Sequence, residues 1–249
     1  MMFIEEPGKL RTIILAAGKG TRMKSDLVKV LHPLCGKPLL SYVVEMAREI
    51  ASEEIAVIVG YQAETVKKIF EGQNLTFIEQ REQLGTGHAV LQARGIFENY
   101  RGSILVVSGD VPLLRPSTAR SLFDCHRTSL STVTVLTTIL PDPAGYGRIV
   151  KASTGDVLRI VEERDATGEE KKIKEINTGI YCVESSFLFK ALMKINNNNA
   201  QKEYYLTDIV AVARQDGCRV GTLVAGDYRE VMGINTREEL ERAHLFMRE

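Results

Sequence analysis

The sequence has no surplus of either charge: Lys and Arg together number 32, and so do Asp and Glu. Without a global positive field, the chain is not built to gather nucleic acid, and any anion site must be local. Cysteine is sparse. Cys35, Cys125, Cys182 and Cys218 lie far apart and form no C-x-x-C pair. That argues against a disulfide framework or a zinc site and fits a reducing cytoplasm. No run is long and apolar enough to span a bilayer, and MMFIEEPGKL lacks the basic-then-apolar layout of a signal peptide. Internal repeats are missing too, and in particular there is no hexapeptide periodicity.

What is present is a core-forming composition, 44% hydrophobic and 26% charged over 249 residues, enough for one large α/β domain or two small ones. Short β-branched runs alternate with helical patterns in the first half. Strands are expected at Thr12–Ala16, Ile55–Val59, Leu75–Ile78 and Ser103–Val107, and helices at Pro38–Glu49, Ala63–Phe70 and Thr86–Phe97. This alternation predicts a Rossmann-like, doubly wound, mostly parallel sheet. The second half changes character, with strands at Thr132–Ile139, Arg148–Lys151, Val157–Val161, Ile176–Val183 and Arg219–Val224. They suggest a mixed or antiparallel extension. Helices are expected around Ser186–Met193 and Leu206–Gln215, with a last one from Thr236 that includes the final residues, and the asparagine run 196–199 reads as a helix-terminating loop.

One stretch, Leu15-Ala16-Ala17-Gly18-Lys19-Gly20-Thr21-Arg22-Met23, runs from a strand into a glycine-containing cationic loop. Backbone N–H groups can approach phosphate oxygens where no Cβ intervenes. The spacing excludes two common cradles. A P-loop requires a second glycine five residues after the first, followed directly by lysine, and Met23 stands at that place. A dinucleotide fingerprint requires a third glycine where Met23 stands. The cations Lys19, Arg22, Lys24 and Lys29 can be either a solvated basic face or a polyphosphate clamp.

Later segments add chemistry-bearing residues. Gln80 precedes a second glycine turn, Gly85-Thr86-Gly87-His88; an amide there can read a pyrimidine edge, while the plain alternative is a capped helix. His88 on its own reads as structural. Asp110 leaves the apolar strand ending Val107-Ser108-Gly109, a position suited to a hard cation or to a simple turn. Asn235 precedes the last helix, expected to end a strand, and can serve as turn former or oxygen ligand.

With these residues in their order, the sequence resembles the sugar-phosphate nucleotidyltransferases. It is most similar to the uridylyltransferase half of bacterial N-acetylglucosamine-1-phosphate uridylyltransferases. The resemblance runs from Leu15 to Asn235, through Lys29 and Leu31-His32-Pro33, Gly145-Tyr146-Gly147-Arg148, Glu162-Glu163, Glu175-Ile176-Asn177-Thr178-Gly179 and residues 198–208. It implies the nucleotide-diphospho-sugar transferase fold, with 1–235 as the nucleotidyltransferase domain and 236–249 as a C-terminal helix. It further implies a cytoplasmic, magnesium-dependent enzyme joining UTP and N-acetylglucosamine 1-phosphate into UDP-N-acetylglucosamine, a cell-wall (peptidoglycan) precursor, with release of pyrophosphate.

Residue by residue, the resemblance gives Arg22 and Lys29 catalytic roles. Substrate contacts fall on Leu15, Ala16, Ala17, Gly18, Lys29, Gln80, Gly85, Thr86, Ser108, Gly109, Asp110, Gly147, Glu162, Asn177 and Asn235. Magnesium falls on Asp110 and Asn235. Gln80, Gly85 and Thr86 would meet uracil, and Gly147, Glu162 and Asn177 the sugar. Ser108 departs from relatives that often carry an aromatic residue there. No hexapeptide repeats are present, so the acetyltransferase activity of the bifunctional relatives is not expected of this chain. Two alternatives stay open: the same chemistry with glucose 1-phosphate or another nucleoside triphosphate, or a non-catalytic nucleotide-sugar sensor.

Overall fold

A computed structural model describes residues 9–248; the N-terminal MMFIEEPG, on which part of the signal-peptide argument rests, lies outside them. In chain order the elements are β1 Leu10–Ala16, β2 Pro33–Leu34, β3 Lys37–Pro38, α1 Leu39–Glu49, β4 Ile55–Val59, α2 Ala63–Ile69, β5 Thr76–Glu79, α3 Thr86–Leu91, α4 Arg94–Phe97 and β6 Ser103–Ser108. There follow α5 Pro116–Thr128, β7 Val133–Ile139, β8 Arg148–Lys151, β9 Val157–Val161, β10 Glu175–Glu184, α6 Ser185–Leu192, α7 Asp208–Gln215, β11 Val220–Val224 and α8 Arg237–Phe246.

The main sheet runs β11-β7-β10-β6-β1-β4-β5. β6, β1, β4 and β5 are parallel neighbours. β10 runs antiparallel to both β6 and β7, β11 is parallel to β7, and the β8–β9 hairpin hangs from β10. The expected mostly parallel sheet with a mixed or antiparallel extension forms, and the extension is mixed. Its central strands are apolar on both faces because both are covered. In β4, Ile55, Val57 and Val59 face the layer of α1, α2 and α5, whereas Ala56 and Ile58 face that of α3, α4, α6 and α7. β6 divides in the same way, Leu105 and Val107 to one side and Ile104 and Val106 to the other.

Several expectations need correction. Pro38 does not open α1; it pairs with Pro33 in the small β2–β3 hairpin, and the helix begins at Leu39. The Cys35 and Gly36 tip carries φ of 47° and 86°, the tight-turn geometry that lets these strands pair. The single helix over 86–97 is two helices. The Gln92 side chain donates to His88 O (3.0 Å), and the Gln92 and Ala93 amides fall back to Ala89 O and Val90 O, three residues away. The ladder tightens there and breaks. Helix α5 was not expected, because its sequence is mostly polar. Only Ala119, Leu122, Phe123 and His126 make its buried stripe. Asn235 ends no strand: a short 3₁₀ turn at Tyr228–Val231 leads into a loop instead. Ile234 N in that loop donates to Asp110 O (2.8 Å), so it docks on the turn after β6 rather than on a sheet edge. The last helix stops at Phe246, with Met247 capping it.

Among the described residues no helix is long and apolar enough to cross a membrane.

Candidate active site

The chain leaves β1 to build β4 and β5 on one side, then returns to place β6 on the other. The crevice beyond the carboxyl ends of β1 and β6 is thus the topological switch point, where open α/β sheets bind ligands. Gly109 N donates to Leu15 O (2.8 Å), joining the two strand exits. A cleft of about 280 Å³ opens here, lined by Leu15, Ala16, Ala17, Gly18, Lys29, Gln80, Gly85, Thr86, Ser108 and Asp110. All ten were singled out in the sequence. Val30, Gln83, Ala89 and Glu203 complete the lining, and no side-chain chemistry marks the apolar pair in advance.

Arg22 stands on a 3₁₀ turn, Thr21–Met23, entered through Gly20 at φ 63° and left through Lys24 at φ 48°. Gly20 is sterically fixed: a Cβ there would lie 2.4 Å from Lys29 Cβ. Gly18, by contrast, has open space around it. The Arg22 guanidinium donates to Asn235 Oδ1 (2.9 Å), and Lys29 Nζ donates to the same oxygen (3.1 Å) and to Asp110 Oδ2. Asn235 is held in turn by its own Nδ2 on Gly233 O (3.0 Å). Four residues from distant parts of the chain therefore meet at one point. Lys19 is not among them; its ammonium lies over the Tyr61 ring.

A carboxylate oxygen and an amide oxygen that both reach one ammonium are also a hard-oxygen pair able to meet one divalent cation. Among the described residues no three His, Cys, Asp or Glu side chains gather as a closed metal cage. That donor set fits magnesium, which commonly takes few protein ligands and completes its shell with water and phosphate.

The Gln80 carboxamide is almost fully buried. Its Nε2 donates to Gly85 O (3.1 Å) and to His88 Nδ1 (3.0 Å), which leaves its carbonyl oxygen without a partner among the described residues and makes His88 structural. Gly85 has φ 110°, and a Cβ on it would strike Tyr204 O at 2.6 Å. Segment 204–206 is stitched across this turn by Gly87 N to Tyr204 O (2.8 Å) and Leu206 N to Thr86 Oγ1 (3.1 Å).

Gly147 just before β8, Glu162 just after β9 and Asn177 on β10 form a neighbouring cluster. A Cβ on Gly147 would sit 3.5 Å from both Asn177 Cβ and Glu162 Oε2, and Asn177 N donates to Gly147 O (2.8 Å). Buried Arg148 braces the segment, donating to Tyr146 O and to Glu163 Oε2 (2.7 Å). Burial pushes the Glu162 carboxyl up; the Thr207 hydroxyl bonding to it opposes this, and Asp208, Asp165 and Glu203 add to the rise. Asp208 itself is pushed up to about 6, chiefly by burial and then by Asp165. Tyr146 connects the two clusters. Burial raises its phenol, and its charged neighbours include Glu239, Arg22 and Asp110. Thr207, Asp208 and Tyr181 carry no individual signal in the sequence, since their roles depend on which side chains the fold sets beside them.

Residues 12–171 match the model of the MobA-like NTP transferase domain. The protein named bifunctional protein GlmU from Geobacter metallireducens is 51% identical over 97% of this chain and 51% of its own length. Proteins of the same name from Lactobacillus delbrueckii subsp. bulgaricus and Bacillus licheniformis are 48% and 44% identical, over 94% and 95% of this chain and 51% and 52% of theirs. The chain thus spans about half the length of the curated relatives it matches. A crystal structure of UDP-glucose pyrophosphorylase complexed with UDP-glucose superposes with a TM-score of 0.76, over 97% of this chain and 99% of that one, at 18% identity, a likeness of fold. With well over half of its residues inside the matched model, the chain belongs to the family of MobA-like NTP transferase domains.

Proposed function

We propose that the protein transfers the uridylyl group of UTP to N-acetylglucosamine 1-phosphate, giving UDP-N-acetylglucosamine and pyrophosphate in the cytoplasm. Residues 1–235 would carry the reaction. The observation that carries this reading is the meeting of Arg22, Lys29, Asp110 and Asn235 at the switch-point crevice. The sugar specificity rests on similarity to the GlmU proteins over nearly the whole chain.

The chemistry follows from charge. A sugar phosphate has a second pKa of about 6, so at neutral pH it is mostly a dianion and already nucleophilic. No general base is needed, which suits a cleft with no histidine in its lining among the described residues. The obstacle is repulsion between that dianion and the triphosphate. Arg22 and Lys29 offset this charge and orient the phosphates for in-line displacement at the α-phosphorus. Asp110 and Asn235 are the residues that would hold magnesium, which supplies Lewis-acid stabilisation of phosphate charge when bound. Lys29, paired with Asp110 in this cleft, would also reach a phosphate oxygen there. Gln80 offers its acceptor oxygen to the uracil edge, with Gly85 and Thr86 beside it. Gly147, Glu162 and Asn177 take the sugar.

Asp110→Ala tests the assignment. Pyrophosphate release should fall by roughly two to three powers of ten, with the fold retained by circular dichroism. Wild-type turnover in that variant would remove Asp110 from the reaction. Binding of UDP-N-acetylglucosamine by the unaltered protein without magnesium-dependent turnover would favour a sensor.

A further inference from the structure

Asn177 sits where β10 breaks register with β7. Pairing runs to Asn177↔Thr137 and resumes at Ile180↔Leu136, so Thr178 and Gly179 bulge out. Thr178 Oγ1 anchors the bulge on Leu136 O (2.6 Å), and Gly179 takes φ 77°. The bulge turns Gly179 N–H back onto Asn177 Oδ1 (3.1 Å). Tyr181, fully buried, sends its hydroxyl to the same oxygen (3.0 Å).

A backbone N–H can only donate, so the atom it meets must be the carboxamide oxygen. The orientation of Asn177 is therefore dictated by the bulge, and the Tyr181 hydroxyl must be a donor as well. Both lone pairs of Oδ1 are occupied. The two N–H bonds of Nδ2 have no protein partner among the described residues. Across the cluster, Glu162 in its ionised form offers acceptors only, with Oε1 held by Thr207 Oγ1 (3.2 Å) and Oε2 beside Gly147.

We propose that Tyr181 is a positioning residue for sugar recognition: with Gly179, it locks Asn177 as a pure donor that reads an acceptor oxygen of the sugar phosphate, opposite the pure acceptor Glu162. This rests on the reaction proposed above. The site then selects a sugar with an acceptor and a donor in the matching order, and an unlocked amide could present either edge.

Tyr181→Phe keeps the ring and its packing but removes one of the two donors. KM for the sugar phosphate should rise about three- to tenfold, with kcat and the KM for UTP unchanged. The carbonyl-carbon NMR resonance of the Asn177 side chain should shift upfield as its oxygen loses a hydrogen bond. Asn177→Asp keeps both inward donors satisfied yet presents no N–H, so it should raise the same KM at least as far. An unchanged sugar-phosphate KM in either variant overturns the proposal, as does an equal loss in kcat and in both KM values. Wild-type protein that turns over no sugar phosphate would instead overturn the reaction. The lock then stands or falls on the Asn177 resonance in Tyr181→Phe: a shift supports it and an unmoved resonance refutes it.

Discussion

Lys29 shows how single residues in this cleft hold one another in place. Its ammonium joins Asp110 to Asn235, and its stem packs so closely on Gly20 that a Cβ there would come within 2.4 Å. Gly20 also has φ 63°, where a side chain costs about 1 kcal/mol. Gly20→Ala must therefore move Lys29 or the Arg22 turn. Turnover should fall by about tenfold to a hundredfold, with only a small drop in thermal stability, as steady-state kinetics and a melting curve would show. Gly18→Ala, in open space, tests the contrast in the protein without ligand: its fold should be unaffected. The resemblance assigned Gly18 a substrate contact and Gly20 no role of its own, because a strained φ and a close neighbour across nine residues of chain are properties of the folded loop. Arg22, Asp110 and Asn235 were legible from their positions at strand exits and before a helix. That Asn235 Oδ1 accepts from both Arg22 and Lys29 was not, since it requires chain ends more than two hundred residues apart to meet.

At the scale of elements, α7 carries an acidic group against the cluster of Gly147, Glu162 and Asn177. Asp208 begins the helix, and its side chain has no hydrogen bond among the described residues. Its folded pKa of about 6 lies above the ordinary aspartate value. Between the two values the folded state holds more protons, so ionisation costs stability; the cost is absent below the ordinary aspartate range and complete above pH 6. Asp208→Asn should therefore be more stable than the parent at neutral pH by about 1 kcal/mol after allowance for partial exposure. The gain should shrink in urea unfolding as the pH falls through that range and vanish at about pH 3. Removing that charge also relieves Glu162, one of whose upward shifts comes from Asp208, so Glu162 should ionise at lower pH. The elements themselves were legible where apolar runs were long and bounded, as in β4 and β6. They were illegible where the stripe was thin, as in α5, or where a side chain interrupted the ladder, as at Gln92.

For the whole molecule, the decisive feature is that a sheet wound in both directions from β1 brings its strand exits to one crevice. The last helix is tied to that crevice as well. A capping box of Thr236 and Glu239 starts α8, and Arg237 donates to Met23 O (3.1 Å) and Lys24 O (2.9 Å), buttressing the Arg22 turn. Ala243 packs with Leu34, Leu39 and Ile234 beneath it. The alternation of strands and helices in the first half made the winding readable. The antiparallel β10 between β6 and β7 was readable only as a change of character, because pairing order is set by packing rather than by local pattern. The proposed reaction is tested by magnesium-dependent pyrophosphate release from a panel of nucleoside triphosphates and sugar 1-phosphates. The highest kcat/KM is expected for UTP with N-acetylglucosamine 1-phosphate. A higher value with glucose 1-phosphate or another triphosphate, or no release at all, would contradict it.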